Sequence, residues 1–84
     1  YAKVAANGTI ISGTPNITIT KSENLGQYFI FCTGITNATI MIVSSNKHLD
    51  PASADVYYKA PGEAQADFTN FNTSNQEFSF VFYN

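Results

Sequence analysis

The sequence is poor in cysteine and histidine, the residues whose disulfide bonds and metal sites stabilise many small domains. It contains one cysteine and one histidine among 84 residues. A single cysteine excludes an internal disulfide bond, and this histidine and cysteine supply too few ligands for a zinc or iron site. A domain of this size buries only roughly 60–65% of its unfolded surface. Burial against another chain is therefore the natural way for it to gain stability.

Charge is also scarce, at 12% of residues with a formal net charge of −2 and a pI near 5.0. This balance argues against nucleic acid or an anionic membrane as partner. No apolar run approaches the ~18 residues that a membrane-spanning helix needs, so we expect no membrane insertion. The polar surface of Asn, Thr and Ser suits an extracellular or virion-exposed protein. Because the chain begins at Tyr1 and not at a methionine, we expect it to be a fragment of a longer protein.

What the sequence does contain is a series of short apolar runs with the period of a strand. The segment Ile17-Thr18-Ile19-Thr20 alternates strictly, and about eight such runs recur at a spacing of roughly 8–12 residues. No window shows helical spacing over three turns. The pattern predicts an all-β fold, a small antiparallel β-sandwich in one domain, 1–84. Asn7-Gly8 between the first two runs predicts a two-residue hairpin of type I′.

Two of these runs are apolar on both faces, which is unusual for a small antiparallel protein. In the run Gln27–Cys32, alternation predicts that one face carries Tyr28, Ile30 and Cys32 and the other carries Phe29 and Phe31. The second run, Ile40–Val43, also predicts a strand buried on both sides. We expect the extra apolar face to be covered by partner subunits. The interface candidates are Phe29, Phe31, Met41 and Val43.

Residues for catalysis or metal binding are few. His48 and Asp50 lie together in one polar loop, where a solvated histidine is the stronger interpretation. Cys32 lies on the inward face of its strand and fits a small buried hydrophobe better than a nucleophile. The carboxylates are too scattered for a calcium loop. We expect no enzyme activity, no metal and no cofactor.

The polar loop between Ser45 and Ala54 is the first candidate for a ligand contact, because loops carry variable contacts on a strand scaffold. The turn around Pro61-Gly62 is the second. The ligand-binding candidates are Asn46, Lys47, His48, Asp50 and Glu63. An alternative is a sugar-stacking platform of aromatic rings, formed by Tyr57, Tyr58, Phe68 and Phe71. The stronger interpretation is that about half of these rings belong to the core and the rest pack against a neighbouring chain.

Four N-x-[ST] triplets begin at Asn7, Asn16, Asn37 and Asn72. Each could be an acceptor for glycosylation in a secreted protein. Asparagine is also common in turns, because its side chain bonds to nearby backbone and it tolerates positive φ. We favour turn formation over glycosylation at these sites.

Several short motifs occur in a fixed order along the chain. They are Tyr1-Ala2-Lys3-Val4, Asn7-Gly8-Thr9, Ser12-Gly13, Ile17-Thr18-Ile19-Thr20, Gly26-x-Tyr28-x-Ile30, Ala38-Thr39-Ile40-Met41-Ile42 and Phe78-Ser79-Phe80-Val81-Phe82. This order resembles the small C-terminal β-domains that end many bacteriophage tail fibres. The resemblance covers residues 1–44 and the final strand, and is poor over 45–76. Phe29 and Phe31 depart from it, since small polar residues are common at those positions in the family.

The resemblance implies that the chain is the C-terminal fragment of a longer fibre protein. It also implies a homotrimeric fibre tip that binds a glycan or protein receptor on a target cell. Related tips occur on phage fibres, phage-derived injection particles and trimeric adhesins. Two other functions stay open. The domain could be a trimerisation or capping module without a ligand, or a monomeric carbohydrate-binding module appended to an enzyme.

Overall fold

The computed structural model describes residues 1–46, 53–69 and 75–83. Over these residues the protein is all-β, with eight strands in two antiparallel sheets and no helix, as the sequence predicts. No described segment is therefore a helix long and apolar enough to cross a bilayer. The strands are β1 (Ala2–Val4), β2 (Ile10–Gly13), β3 (Ile17–Lys21), β4 (Gln27–Cys32), β5 (Ile40–Ser45), β6 (Ser53–Ala60), β7 (Glu63–Thr69) and β8 (Phe78–Tyr83).

Each sheet has four strands. The first sheet has the order β2-β1-β8-β5, and the second has the order β3-β4-β7-β6. Hairpins join β1 to β2, β3 to β4 and β6 to β7, while β8 returns from the end of the chain to lie between β1 and β5. The chain changes sheet between β2 and β3, between β4 and β5, between β5 and β6, and between β7 and β8. Both sheets contribute inward side chains to one core.

Aromatic rings from both sheets form the centre of this core. Tyr28 on β4, Phe68 on β7 and Phe78 on β8 have at most 1% of their surface exposed. The Tyr28 ring centroid lies 5.7 Å from that of Phe68, edge-on, and 4.7 Å from that of Phe78. Rings at these separations gain attraction beyond the burial of their area. The predicted inward face of β4 is thus confirmed for Tyr28 and Ile30, whereas Cys32 is only half-buried.

The Tyr28 hydroxyl connects three segments of the chain. It donates a hydrogen bond to the carbonyl of Ala6 at 2.6 Å and accepts one from the backbone N–H of Gln76 at 3.2 Å. Gln76 is itself buried, and its side-chain Oε1 accepts a hydrogen bond from the Ser45 hydroxyl. Burial raises the pKa of the Tyr28 phenol above its ordinary value of 10.0, and the hydrogen bond to Gln76 partly offsets this. Tyr28 is therefore neutral at physiological pH.

The first hairpin forms as predicted, but its turn differs. The N–H of Gly8 donates to the carbonyl of Ala5 at 2.9 Å, and the N–H of Ala5 donates to the carbonyl of Thr9 at 2.8 Å. Gly8 has φ of 92°, and Asn7 does not have positive φ. This is a three-residue loop with glycine in the left-handed position, so the prediction of a type I′ turn is wrong. Asn7 instead uses its side-chain oxygen to accept from the N–H of Thr9.

The residue pattern of the sequence predicts a strand from Ala66 to Phe71, whereas β7 begins three residues earlier, at Glu63. Pro61 and Gly62 form the tight turn after β6, and Gly62 has φ of 79°. The N–H of Gly62 donates to the carbonyl of Ile35, and the carbonyl of Gly62 accepts from Cys32, both at 2.9 Å. These bonds hold the turn against the end of β4, which lets β7 pair with β4 from its first residue.

We predict that Tyr28→Phe destabilises the fold by about 1–3 kcal/mol, because it leaves the buried N–H of Gln76 without its acceptor. The ring contacts stay the same. Urea unfolding followed by circular dichroism measures the change. Tyr57→Phe is the matched control, since its hydroxyl lies on the surface and its loss should change stability by less than about 0.5 kcal/mol. Equal effects of the two variants would contradict the assigned role of the Tyr28 hydroxyl.

Candidate functional site

The two outer faces of the sandwich differ in chemistry. On the first sheet, the outward side chains near the end of β8 are apolar. On the second sheet, outward aromatic rings alternate with polar and charged side chains. We call the latter the polar–aromatic face, and it consists of Phe29, Phe31, Asp55, Tyr57, Lys59, Glu63, Gln65 and Asp67.

Strand register arranges the polar–aromatic face in rows. Gln65 on β7 lies between Phe29 on β4 and Tyr57 on β6. Although Gln65 points away from the core, only 7% of its surface is exposed. The two flanking aromatic residues explain this burial, because directly opposed side chains on neighbouring strands lie in contact. The middle row of the face is therefore a packed layer.

Hydrogen bonds hold the polar side chains of this face in place. The Asp67 carboxylate accepts from the Gln65 side-chain amide at 2.9 Å and from the Tyr57 hydroxyl at 3.2 Å. Desolvation, followed by the charge and hydrogen bond of Asp67 and the charge of Asp55, raises the pKa of the Tyr57 phenol above 10.0. Tyr57 thus keeps its proton at physiological pH and acts as a donor.

Lys59 partly covers one ring of the face. Its Nζ atom lies 4.3 Å from the centroid of the Phe29 ring and 3.8 Å from Oε1 of Glu63. An exposed ion pair of this kind contributes little stability, but together with the cation–π contact it orients the lysine. Phe29 is half-buried as a result, whereas Phe31 and Tyr57 stay open, with 37% and 39% of their surface exposed.

Of the predicted ligand residues, the structure describes Asn46 and Glu63, and it does not bring these two together. Asn46 follows β5, where its side-chain amide donates to the Ser79 hydroxyl at 2.8 Å. Glu63 begins β7, at the far end of the eight-residue strand β6. A strand of that length separates the two ends by about 25 Å. Glu63 instead lies opposite Phe31 on the polar–aromatic face. The other predicted ligand residues, Lys47, His48 and Asp50, lie outside the described residues.

The predicted interface residues divide between core and surface. Phe29 and Phe31 point outward from β4, as expected. Met41 and Val43 instead pack against the core from the inner face of β5, because the strand register turns its odd-numbered residues inward. The outward apolar residues of β5 are Ile40 and Ile42, with 49% and 50% exposure. The expectation that β5 is buried on both sides is therefore not met within the described chain.

The proposed sugar-stacking group is also divided. Phe68 is buried in the core, and Tyr58 packs against it from the inner face of β6. Phe71 lies outside the described residues. Of the four rings, the structure places Tyr57 on an open face. Gln65 was missed because the strand predicted from Ala66 excluded it, and Asp67 was missed because its contact with Tyr57 depends on the pairing of β6 with β7.

The described residues contain no group of three or more His, Cys, Asp or Glu side chains that could hold a metal ion. Cys32 is half-buried, and its thiol lies 3.5 Å from the carbonyl of Thr33. The side chains of the polar–aromatic face can bind a ligand by stacking on the aromatic rings and by hydrogen bonding to the carboxylates and the amide.

We predict that Asp67→Asn lowers the pKa of Tyr57 toward 10.0, because it removes the nearest negative charge. Titration followed by the ultraviolet absorbance of ionised tyrosine measures the change, and the same titration in a Tyr57→Phe background assigns it to this ring. Asp55→Asn is the matched control and should cause a smaller decrease in pKa. An unchanged Tyr57 titration in Asp67→Asn would show that the Tyr57–Asp67 contact is not maintained in solution.

Comparison with known proteins adds no assignment to this description. No protein-family model, curated protein or solved structure matches the chain. The likeness to phage tail-fibre tips therefore depends on the sequence motifs alone. Function has to be argued from the two outer faces of the sandwich.

Proposed function

We propose that this chain is the receptor-binding tip of a homotrimeric fibre, displayed outside the cell or on a virion, and that it recognises a saccharide on the target cell. The observation that carries the proposal is the polar–aromatic face, where open rings lie beside polar side chains already held by hydrogen bonds. The motif resemblance supports the fibre context. The face itself supports recognition.

The chemistry of this face suits a sugar. A pyranose ring has apolar C–H faces that stack on aromatic rings, and its edge carries hydroxyl groups. Phe31 and Tyr57 offer open rings on strands that are two places apart in the sheet, a spacing of about 10 Å. Glu63 and Asp67 accept hydrogen bonds from hydroxyl groups. Because Asp67 is already held by its neighbours, binding would cost less side-chain entropy.

Charge narrows the class of saccharide. The polar–aromatic face carries three carboxylates, Asp55, Glu63 and Asp67, against the single ammonium group of Lys59. Its formal charge is therefore −2. A sialylated or sulfated glycan would be repelled, whereas a neutral or amine-bearing saccharide would not. We propose a neutral hexose or an amino sugar as the ligand class.

The loop after β5 forms a second, separate part of the proposal. Asn46, directly after β5, carries a side-chain donor and acceptor, and the sequence candidates Lys47, His48 and Asp50, which lie outside the described residues, add further donors and acceptors. A contact there would be independent of the polar–aromatic face. It would suit a large receptor that extends along the sandwich.

Two alternative functions are distinguishable by mass and binding. A capping module would be trimeric and would bind no saccharide. A carbohydrate-binding module would bind but sediment as a monomer. The exposed apolar side chains of the first sheet favour the capping module over the monomer, because soluble monomers rarely leave such side chains clustered in water.

We predict that Phe31→Ser combined with Tyr57→Ser weakens binding to target cells about tenfold or more, because both stacking surfaces are removed. A glycan array of neutral, amino and sialylated sugars supplies the ligand probe. Leu25→Ser is the matched control, since Leu25 is 59% exposed in the turn before β4 and does not belong to the polar–aromatic face. It should bind as the wild type does.

Each outcome of this experiment is informative. Retained binding by the double variant, with loss of binding in Asn46→Ala, would assign recognition to the loop end. A wild-type trimer that binds neither cells nor any sugar on the array would leave the capping module as the function. A preference for sialylated sugars would contradict the charge argument.

A further inference from the structure

An apolar patch on the outer face of the first sheet has no assigned role in recognition. It consists of Ile40 and Ile42 on β5 and Val81 and Tyr83 on β8. Register places Ile40 directly opposite Tyr83, and Ile42 directly opposite Val81. Between 39% and 50% of each side chain is exposed. The four side chains thus form two adjacent cross-strand pairs and one continuous surface.

Among the residues that the structure describes, no charged side chain belongs to this patch. On the first sheet, the ion pair of Lys3 and Glu77, at 3.9 Å, lies toward the start of β8, whereas the patch lies toward its end. Between the two lies a row of small polar residues that includes Ser44 and Ser79. A shallow depression of about 240 Å³, bounded mainly by Ile42, Ser44, Ser79 and Val81, adjoins the patch and leaves room for a side chain from another molecule.

From these features we infer that the apolar patch is the surface on which a second copy of this chain packs. The inference rests on the proposed homotrimer and specifies its interface. In a three-fold assembly the patch of each copy faces the axis and meets the same patch of its neighbours. Such self-contact requires a surface without like charges, and the apolar patch meets this requirement.

The polar–aromatic face does not meet this requirement, because it carries like charges. Phe29 and Phe31, the interface residues expected from the sequence, lie on the polar–aromatic face with its formal charge of −2. Bringing copies of that face together would place carboxylates such as Asp55 and Asp67 against one another and desolvate them. Phe29 is also partly covered by Lys59 of its own chain. Charge therefore assigns self-contact to the first sheet.

The area of the patch is consistent with this role. The exposed parts of its four side chains amount to roughly 300–400 Å². A standard interface buries about 800 Å² on each partner, with an apolar centre and a polar rim. The patch supplies up to about half of that area as the centre. Ser44, Ser79 and the flanking strand surface supply the rim.

Analytical ultracentrifugation of the 84-residue chain and its variants tests the inference. We expect the wild type to sediment at three times the 9.2 kDa chain mass and Ile42→Glu to sediment as a monomer with an unchanged circular dichroism spectrum. Thr20→Glu is the matched control, because Thr20 is also exposed and occupies an outward position of the other sheet. It should remain trimeric. Val81→Thr keeps the shape of the side chain and should raise the dissociation constant roughly fourfold.

The outcomes separate this inference from the proposed function. A wild type that is monomeric at every concentration overturns both the trimer and its interface. A trimer that persists in folded Ile42→Glu, or in Val81→Thr with an unchanged dissociation constant, overturns the patch alone. If Ile42→Glu does not fold, Val81→Thr decides. Loss of saccharide binding with an intact trimer would contradict the proposed recognition of a saccharide and would not contradict the proposed interface.

Discussion

The packing of Tyr28 is the interaction on which the rest of the structure depends. Its ring joins the aromatic residues Phe68 and Phe78, so that one side chain of the second sheet contacts the centre of the first. Its hydroxyl bonds to the first hairpin at Ala6 and to the segment before β8 at Gln76. A chain with one cysteine has no disulfide to hold these segments. The buried Tyr28 phenol connects these segments instead and fixes the orientation of both sheets.

Once Tyr28 points inward, alternation along β4 determines which side chains of the second sheet point outward. Phe29 and Phe31 must point outward on β4, and the pairing of β4 with β7 brings Gln65 and Glu63 beside them. The polar–aromatic face is thus a consequence of core packing. It needs no separate loop to build it, which distinguishes it from the loop contact that the sequence suggested.

Features that depend on local sequence were predictable for this protein, whereas features that depend on contacts between distant strands were not. The all-β class and the eight strands were predictable because period two and turn residues are local signals. The turn type at Gly8 was not, since Asn-Gly is compatible with several loops and the bulge between β1 and β2 selects one. Neither the burial of Gln65 nor the inward direction of Met41 and Val43 was predictable, because both depend on which strands become neighbours. The separate positions of Asn46, beside Ser79, and Glu63, opposite Phe31, likewise depend on strand order.

The two outer faces, taken together, favour an assembled protein over a monomer. In a sandwich of this size, an apolar side chain that lies outside the core contacts either water or another chain. Ile40, Ile42, Val81 and Tyr83 are in that position on the first sheet, whereas the acidic charge of the second sheet opposes self-contact. Packing copies through the first sheet leaves every polar–aromatic face turned away from the axis. Three such faces on one particle could engage several saccharides at once, and multivalent contact strengthens binding when each individual site is weak.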